Sequence, residues 1–270
     1  MLYRANGGQT HLPASENIQI APRPCRPLAE PSPKIPEPVL REDFVRKGYA
    51  AAEWSQHFLP GVSAQMLDWF WANLEKCYYL WAPGCHKSFE WVQSPAEAGF
   101  VNSVHKVCES MGPGVPPMGG DGIVLHRMDL SYFPFQEHLE HVIIEAILND
   151  KGEVFNLGVH MWEDAPGGCI HVTRGATNTQ ISEPPKFVIA FDQAEGQMED
   201  LKEEKNVLPH PDYEAAQWPV FLPKLYEVWK DHPDPSQNVH CDLRVRENPD
   251  GTIAYIAENG PVIPPGMQGK

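Results

Sequence analysis

Five runs rich in β-branched and aromatic residues, "VNSVHKVCES", "GIVLHRMDLSYFPF", "HVIIEAIL", "EVFNLGVHMW" and "GCIHVTRGAT", succeed one another between Val101 and Thr177. The stretches Asn149-Asp150-Lys151-Gly152 and Asp164-Ala165-Pro166-Gly167-Gly168 supply turn chemistry between them. Parallel strands need a long crossover, and no room exists for one in such short connections. The pattern therefore predicts an antiparallel, meander-like sheet.

The flanks add helices. In "SAQMLDWFWANLEKC" the residues Met66, Trp69, Phe70, Asn73, Leu74 and Cys77 recur at helical spacing, and Ser63 has the chemistry of an N-cap. This predicts one helix from Ser63 to Cys77. "HPDYEAAQWPVFLPKLYEVWKDH" predicts a second, with Leu222, Leu225, Tyr226 and Trp229 on one side and with Pro219 and Pro223 kinking or interrupting it. A hairpin is expected in "VHCDLRVRENPDGTIAYIAEN", turning at Asn248-Pro249-Asp250-Gly251. The class is α+β.

Eight prolines lie between Pro13 and Pro38, so residues 1–45 are expected to be an extended Pro-rich arm preceding a single catalytic domain over 46–270. The formal charge of −15, with 36 acidic against 21 basic residues, disfavours nucleic acid and anionic membrane surfaces, which require clustered lysine and arginine. No stretch approaches the roughly 20 apolar residues that a spanning helix needs. The start lacks the pattern of a secretory signal, so a cytoplasmic protein is expected. Its six cysteines occur singly, as reduced thiols do.

Histidine and glutamate are arranged less evenly. Of 12 His and 23 Glu, chance pairs about one as His-x-x-x-Glu, yet four such pairs occur: His86/Glu90, His105/Glu109, His141/Glu145 and His210/Glu214. On a helix such residues are neighbours, whereas on a strand they share a face roughly 13 Å apart. His141/Glu145 and His105/Glu109, on expected strands, cannot each grip one ion, although the latter could face one cavity at different depths. His210/Glu214 is the pair best placed to bind jointly, with Pro211 fitting a helix start. Spacing alone leaves a metal role and a solvated first turn both open.

The segment "DWFWANLEKCYYLWAPGCHKSFEW" resembles the tryptophan-rich signature of the diacetylphloroglucinol and phloretin hydrolase family, metal-dependent enzymes acting on carbon-carbon bonds. "VNSVHKVCESMG", "GVHMWEDAPGGCIHVTRGATN" and "HPDYEAAQWPVFLPKLYEVW" resemble further family blocks in the same order, together spanning most of residues 62–230. The resemblance implies a helix-grip fold (Bet v 1/START-like), in which a curved antiparallel sheet wraps a long helix and encloses a cavity. It also implies His86, Glu109, His210 and Glu214 as metal ligands, with Glu90 and Glu97 as alternatives to Glu109. Two imidazoles and two carboxylates suit Zn2+ better than Fe2+ or Mn2+.

The same resemblance makes Tyr78 and His160 the catalytic residues, with Tyr79 as the alternative should the register slip by one. His105, His126 and His171 are further cavity candidates, while Trp69, Trp71, Trp81 and Trp91 are expected to pack. The implied activity is hydrolysis of the aryl-acyl carbon-carbon bond of a small phenolic or polyketide substrate through metal-activated water, and a homodimer is compatible with it. Two departures from the family pattern stand out: Pro219 within the metal-binding helix, and the lysine and cysteine of "HKVCE". They motivate the alternatives of a non-hydrolytic polyketide cyclase or isomerase, or a hydrophobic-ligand-binding protein, in the same fold.

Overall fold

The computed structural model describes residues 17–20, 38–82, 85–110, 122–185, 210–230, 242–247, 249 and 253–258. Its strands are β1 (Asn17–Ile20), β2 (Tyr49–Pro60), β3 (His86–Gln93), β4 (Val104–Glu109), β5 (Ile123–Met128), β6 (His141–Leu148), β7 (Val154–Ala165), β8 (Gly168–Asn178), β9 (Asp242–Glu247) and β10 (Ile253–Glu258). Its helices are α1 (Glu42–Arg46), α2 (Ala64–Ala72), α3 (Leu74–Trp81), α4 (Pro95–Ala98) and α5 (His210–Trp229).

A meander from β3 to β8 accounts for most of the main sheet, and β2 then adds beside β8, giving the order β2-β8-β7-β6-β5-β4-β3. Every pairing is antiparallel. The expected strands on β4 to β8 are all present, and β6 coincides with "HVIIEAIL". Gly152 and Gly167 hold φ of 79° and 83° in the two expected turns, a region that glycine enters without a Cβ penalty. β2 and β3 are consecutive in the chain yet form opposite edges of the sheet, so α2 and α3 must span the gap between them. This curved antiparallel sheet closed over helices is the helix-grip fold.

Period-two alternation sends the two faces of each central strand into different cores. Ile144, Leu157, Val159, Met161, Val172 and Ala176 face one side, where Phe44 of α1 and Phe133 and Phe135 cover them. Ile143, Trp162, Cys169 and Leu59 face the other, toward the helices, together with Phe70, Trp71, Trp218, Phe221 and Leu222. Each such side chain contributes about 1.5–3 kcal/mol by leaving water. The polar residues on this inner face therefore require a separate explanation.

Two helix expectations need correction. The predicted single helix from Ser63 to Cys77 is two: Ser63 caps α2 by accepting from the Met66 N–H at 3.2 Å, but Asn73 leaves helical geometry at φ −131°, ψ 36°. Its buried amide donates to the Trp69 carbonyl at 2.8 Å, occupying an acceptor at the helix end, and α3 then continues to Trp81. Conversely, α5 runs unbroken through Pro219 and Pro223. Burial of Ala215, Ala216, Trp218, Phe221, Leu222 and Leu225 along its length offsets the hydrogen bonds that the prolines remove.

The expected final hairpin is present as β9 paired with β10, and β1 pairs with β10 on its other side. Apart from β1, residues 1–37 of the expected arm lie outside the described residues. Cys77, Cys85, Cys108 and Cys169 form no disulfide among the described residues, while Cys25 and Cys241 lie outside them.

Candidate metal centre and its cavity

Two local neighbourhoods converge at one end of the sheet. His86 opens β3 and Glu109 closes β4, and the two are direct cross-strand partners, which brings their Cβ atoms to roughly 5 Å. His210 and Glu214 stand one turn apart at the start of α5. Ligand atoms of His86, Glu109 and His210 lie within 4.8 Å of one another. Glu214 joins them: its Oε1 is 3.2 Å from His86 Nε2 and 3.3 Å from His210 Nε2.

These contacts need a cation to make electrostatic sense. His86 Nδ1 donates to the Tyr78 carbonyl at 2.7 Å, which leaves Nε2 as a lone pair facing Glu214 at 3.2 Å and Glu109 at 3.6 Å. A lone pair set against two carboxylates is repulsive unless a proton or a metal lies between them. Neither ring nitrogen of buried His210 makes a well-aligned hydrogen bond among the described residues, although Nε2 lies 3.3 Å from Glu214 Oε1. The set of two nitrogens and two carboxylates fits a divalent ion, and the carbonyl behind His86 fixes its ring as backing groups do in metal sites.

Protonation states follow. Burial by itself disfavours a charged His210, but the Glu214 carboxylate overrides it and holds the ring protonated well above the usual range. Glu214 is likewise opposed by burial, yet its imidazole neighbours bring it down to about 2. With no metal, a proton on His210 serves as the counter-cation.

Tyr78 packs its ring on His86, with centroids 3.9 Å apart and planes 6° from parallel. Its hydroxyl donates to Glu109 Oε2 at 2.7 Å. Burial, then the charge of Glu109, raises the phenol well above its ordinary value, so it remains a donor. Beyond the cluster lies a cavity of about 200 Å³, lined among others by Trp71, Trp81, His160, Asn156, Thr173 and Glu145. His160 contacts Trp71 at 4.5 Å between ring centroids and shares a hydrogen bond with Thr173 at 3.3 Å. Burial lowers it to about 4, so it is neutral.

The structure thus brings together His86, Glu109, His210, Glu214, Tyr78 and His160. The alternatives to Glu109 lie elsewhere: Glu97 accepts from the Ser94 N–H and hydroxyl at 2.9 Å, and Glu90 stands opposite Lys106 in the β3–β4 register, not at Glu109's position. His105 lines the cavity, as strand periodicity allowed, together with Glu109. His126 is half-buried on β5 away from the lining, and His171 lies behind it against Trp218 at 4.5 Å. Of the tryptophans expected to pack, Trp71 and Trp81 are buried and also line the cavity, whereas Trp91 donates to Glu75 at 3.0 Å.

Sequence reasoning missed Glu145, Asn156 and Thr173 as lining residues. A glutamate at an inward position of the otherwise apolar "HVIIEAIL" was the available signal, since a strand buries such a group only against a partner or a ligand.

Solved structures similar to the chain include Ara h 8.0201, at 14% identity over 64% of this chain and 98% of that one with a TM-score of 0.36. Protein Ms6760 from Mycobacterium smegmatis is 9% identical over 64% and 97%, with a TM-score of 0.34. The di-domain ARO/CYC StfQ from the steffimycin biosynthetic pathway is 9% identical over 69% and 54%, with a TM-score of 0.33. Among curated proteins no sequence match is found. The family model described as the DAPG hydrolase PhiG domain matches residues 46–227, which include every site residue named above, and the chain belongs to that family.

Proposed function

We propose that this protein hydrolyses the aryl-acyl carbon-carbon bond of a small acylated phenol, at a divalent metal, best zinc, held by His86, Glu109, His210 and Glu214. Membership of the DAPG hydrolase family makes the chain a hydrolase of acylphloroglucinol type. The observation that carries the finer reading is the lone pair of His86 Nε2 set against two carboxylates that line a cavity of about 200 Å³.

When bound, a divalent ion supplies Lewis acidity, making water a better nucleophile near neutral pH and polarising an acyl carbonyl. The chain's own residues do the rest. Trp71 and Trp81, packed edge-to-face on one another, wall the cavity with apolar surface that excludes bulk water and gives a ring a face to pack on. Tyr78, held protonated, keeps its proton directed at Glu109 Oε2 and presents the remaining lone pair of its oxygen at the centre. Neutral His160 can take a proton at its ring nitrogen and return it.

Chemically, a proton first adds to the ring carbon that bears the acyl group, while a phenol oxygen ortho or para to it gives up its own proton and becomes a carbonyl. Water oxygen then bonds to the acyl carbon, and the bond from acyl carbon to ring carbon breaks. Its electron pair passes through the ring to that oxygen, which takes up the proton that water loses, giving a carboxylic acid and the deacylated phenol. Incubation with an acylated trihydroxybenzene, followed by mass spectrometry, should show both products. Recovery of products with unchanged total mass would instead indicate cyclisation or isomerisation, and recovery of intact substrate would indicate a binding protein.

A further inference from the structure

The inner face holds a second polar cluster, away from the metal ligands. Glu145 on β6 lines the cavity. Its Oε1 accepts from Arg127 Nε at 3.3 Å and lies 3.7 Å from His105 Nε2. Arg127 is anchored in turn, donating to the Trp71 carbonyl at 2.6 Å. All three side chains are buried: Arg127 is 2%, His105 2% and Glu145 6% exposed. A structural ion pair joining β5, β6 and α2 accounts for Oε1. It leaves Oε2, which has no partner among the described residues, without a role.

Removing a carboxylate from water is costly unless both oxygens are satisfied. A chain needing only an ion pair could have turned it to the opposite face. Instead, a carboxylate is presented into a cavity that Trp71, Trp81, Leu74, Leu125 and Ile147 wall with apolar surface beside the proposed ligand cluster, and whose volume of about 200 Å³ admits one ring and a short arm. The group complementary to such an acceptor is a phenolic hydroxyl, a strong donor carried by a flat apolar body.

We propose that Glu145, held by Arg127 and flanked by His105, is the specificity-determining acceptor for a ring hydroxyl, so that the cavity selects polyhydroxylated over singly hydroxylated benzene rings. This rests on the acylphenol reading above and adds the group that orients the ring. With a hydroxyl fixed at Glu145, the opposite side of the ring is directed to Tyr78 and the ligand cluster. A ring lacking that hydroxyl leaves the buried carboxylate unpaired, which is the kind of mismatch that discriminates strongly.

The test needs no turnover. Calorimetric titration of the purified protein with 1,3,5-trihydroxybenzene, 1,3-dihydroxybenzene and phenol removes one hydroxyl at a time without adding bulk. In the wild type, one of the two steps should weaken binding by about tenfold or more. In Glu145→Gln, which keeps an oxygen for Arg127 but turns an amide N–H₂ toward the ring, that step should shrink below about threefold.

Failure of the wild type to bind trihydroxybenzene, wild-type steps both below threefold, or a step unchanged in Glu145→Gln each overturns the assignment. Should thermal melting show that Glu145→Gln does not fold, Glu145→Asp, with the acceptor withdrawn by one methylene, must shrink the same step. Acid release from an acylated ring is read separately. Hydrolysis without a Glu145-dependent hydroxyl step sinks this inference and leaves the reaction standing, and the converse result does the opposite.

Discussion

At the scale of single residues, the centre works by assigning lone pairs. The Tyr78 carbonyl fixes the His86 tautomer, and the Tyr78 hydroxyl fixes the Glu109 carboxylate, so one residue orients two of the proposed ligands. Tyr78→Phe retains the stack on His86 and removes only the hydroxyl, and should weaken metal binding by about 10–100-fold with little change in melting temperature. Equilibrium competition with a coloured chelator reads this directly, and unaltered affinity would show that the Tyr78–Glu109 bond does not tune the site. His210→Ala or Glu214→Ala should remove metal and turnover together, lowering activity more than a hundredfold by the scale of ligand loss. A variant with one equivalent of zinc and full turnover would exclude that residue from the set. The choice of Glu109 over Glu90 and Glu97 illustrates what the sequence can and cannot carry. All three lie within reach of His86 in the chain, but only the β3–β4 register places Glu109 opposite it. Register is a long-range property, invisible to spacing.

At the scale of elements, the same reason explains which strands could be read. β4 to β8 are flanked on both sides, so their inward positions are largely apolar, and the β6–β7 and β7–β8 turns are tight. β2 and β3 are edges, each paired on one side only. Their sequences "YAAAEWSQHFLP" and "HKSFEWVQ" carry too many polar and small residues to advertise a strand, and β3 registered only as part of a motif. The helix break at Asn73 was likewise masked by continuous apolar spacing through it. The β2–β8 contact leaves a testable mark at Gly168. A Cβ there would lie 2.3 Å from the Leu59 carbonyl oxygen and 2.8 Å from the Phe58 ring, both on the neighbouring strand, and backbone cannot swing away as a side chain does. Gly168→Ala should destabilise the protein by about 1–3 kcal/mol, seen as a lower urea midpoint at unchanged slope. A midpoint equal to wild type would mean that β2 and β8 separate more easily than their pairing implies.

At the scale of the whole molecule, enclosing histidines on the inner face couples stability to pH in two opposite directions. His105, His160 and His171 are lowered by burial, His160 to about 4. Unfolded, they titrate near 6.5, so between about 6.5 and 4 the unfolded chain binds more protons and stability falls as pH falls, by up to about 1.4 kcal/mol per pH unit from each. His210 runs the other way in metal-free protein. Its folded value is raised, so its contribution is complete below about 6.5 and is lost as pH rises through the higher folded value. The chelated protein should therefore show a stability maximum near neutrality, falling on both sides, in urea titrations across that range. Adding zinc should lift the alkaline limb while leaving the acid limb in place below the point where the ligands protonate, because the metal replaces the His210 proton but touches none of the other three rings. An alkaline limb unmoved by zinc would separate His210 from the metal, and a flat profile between pH 6.5 and 5 would show that the three inner histidines are not held neutral by the fold.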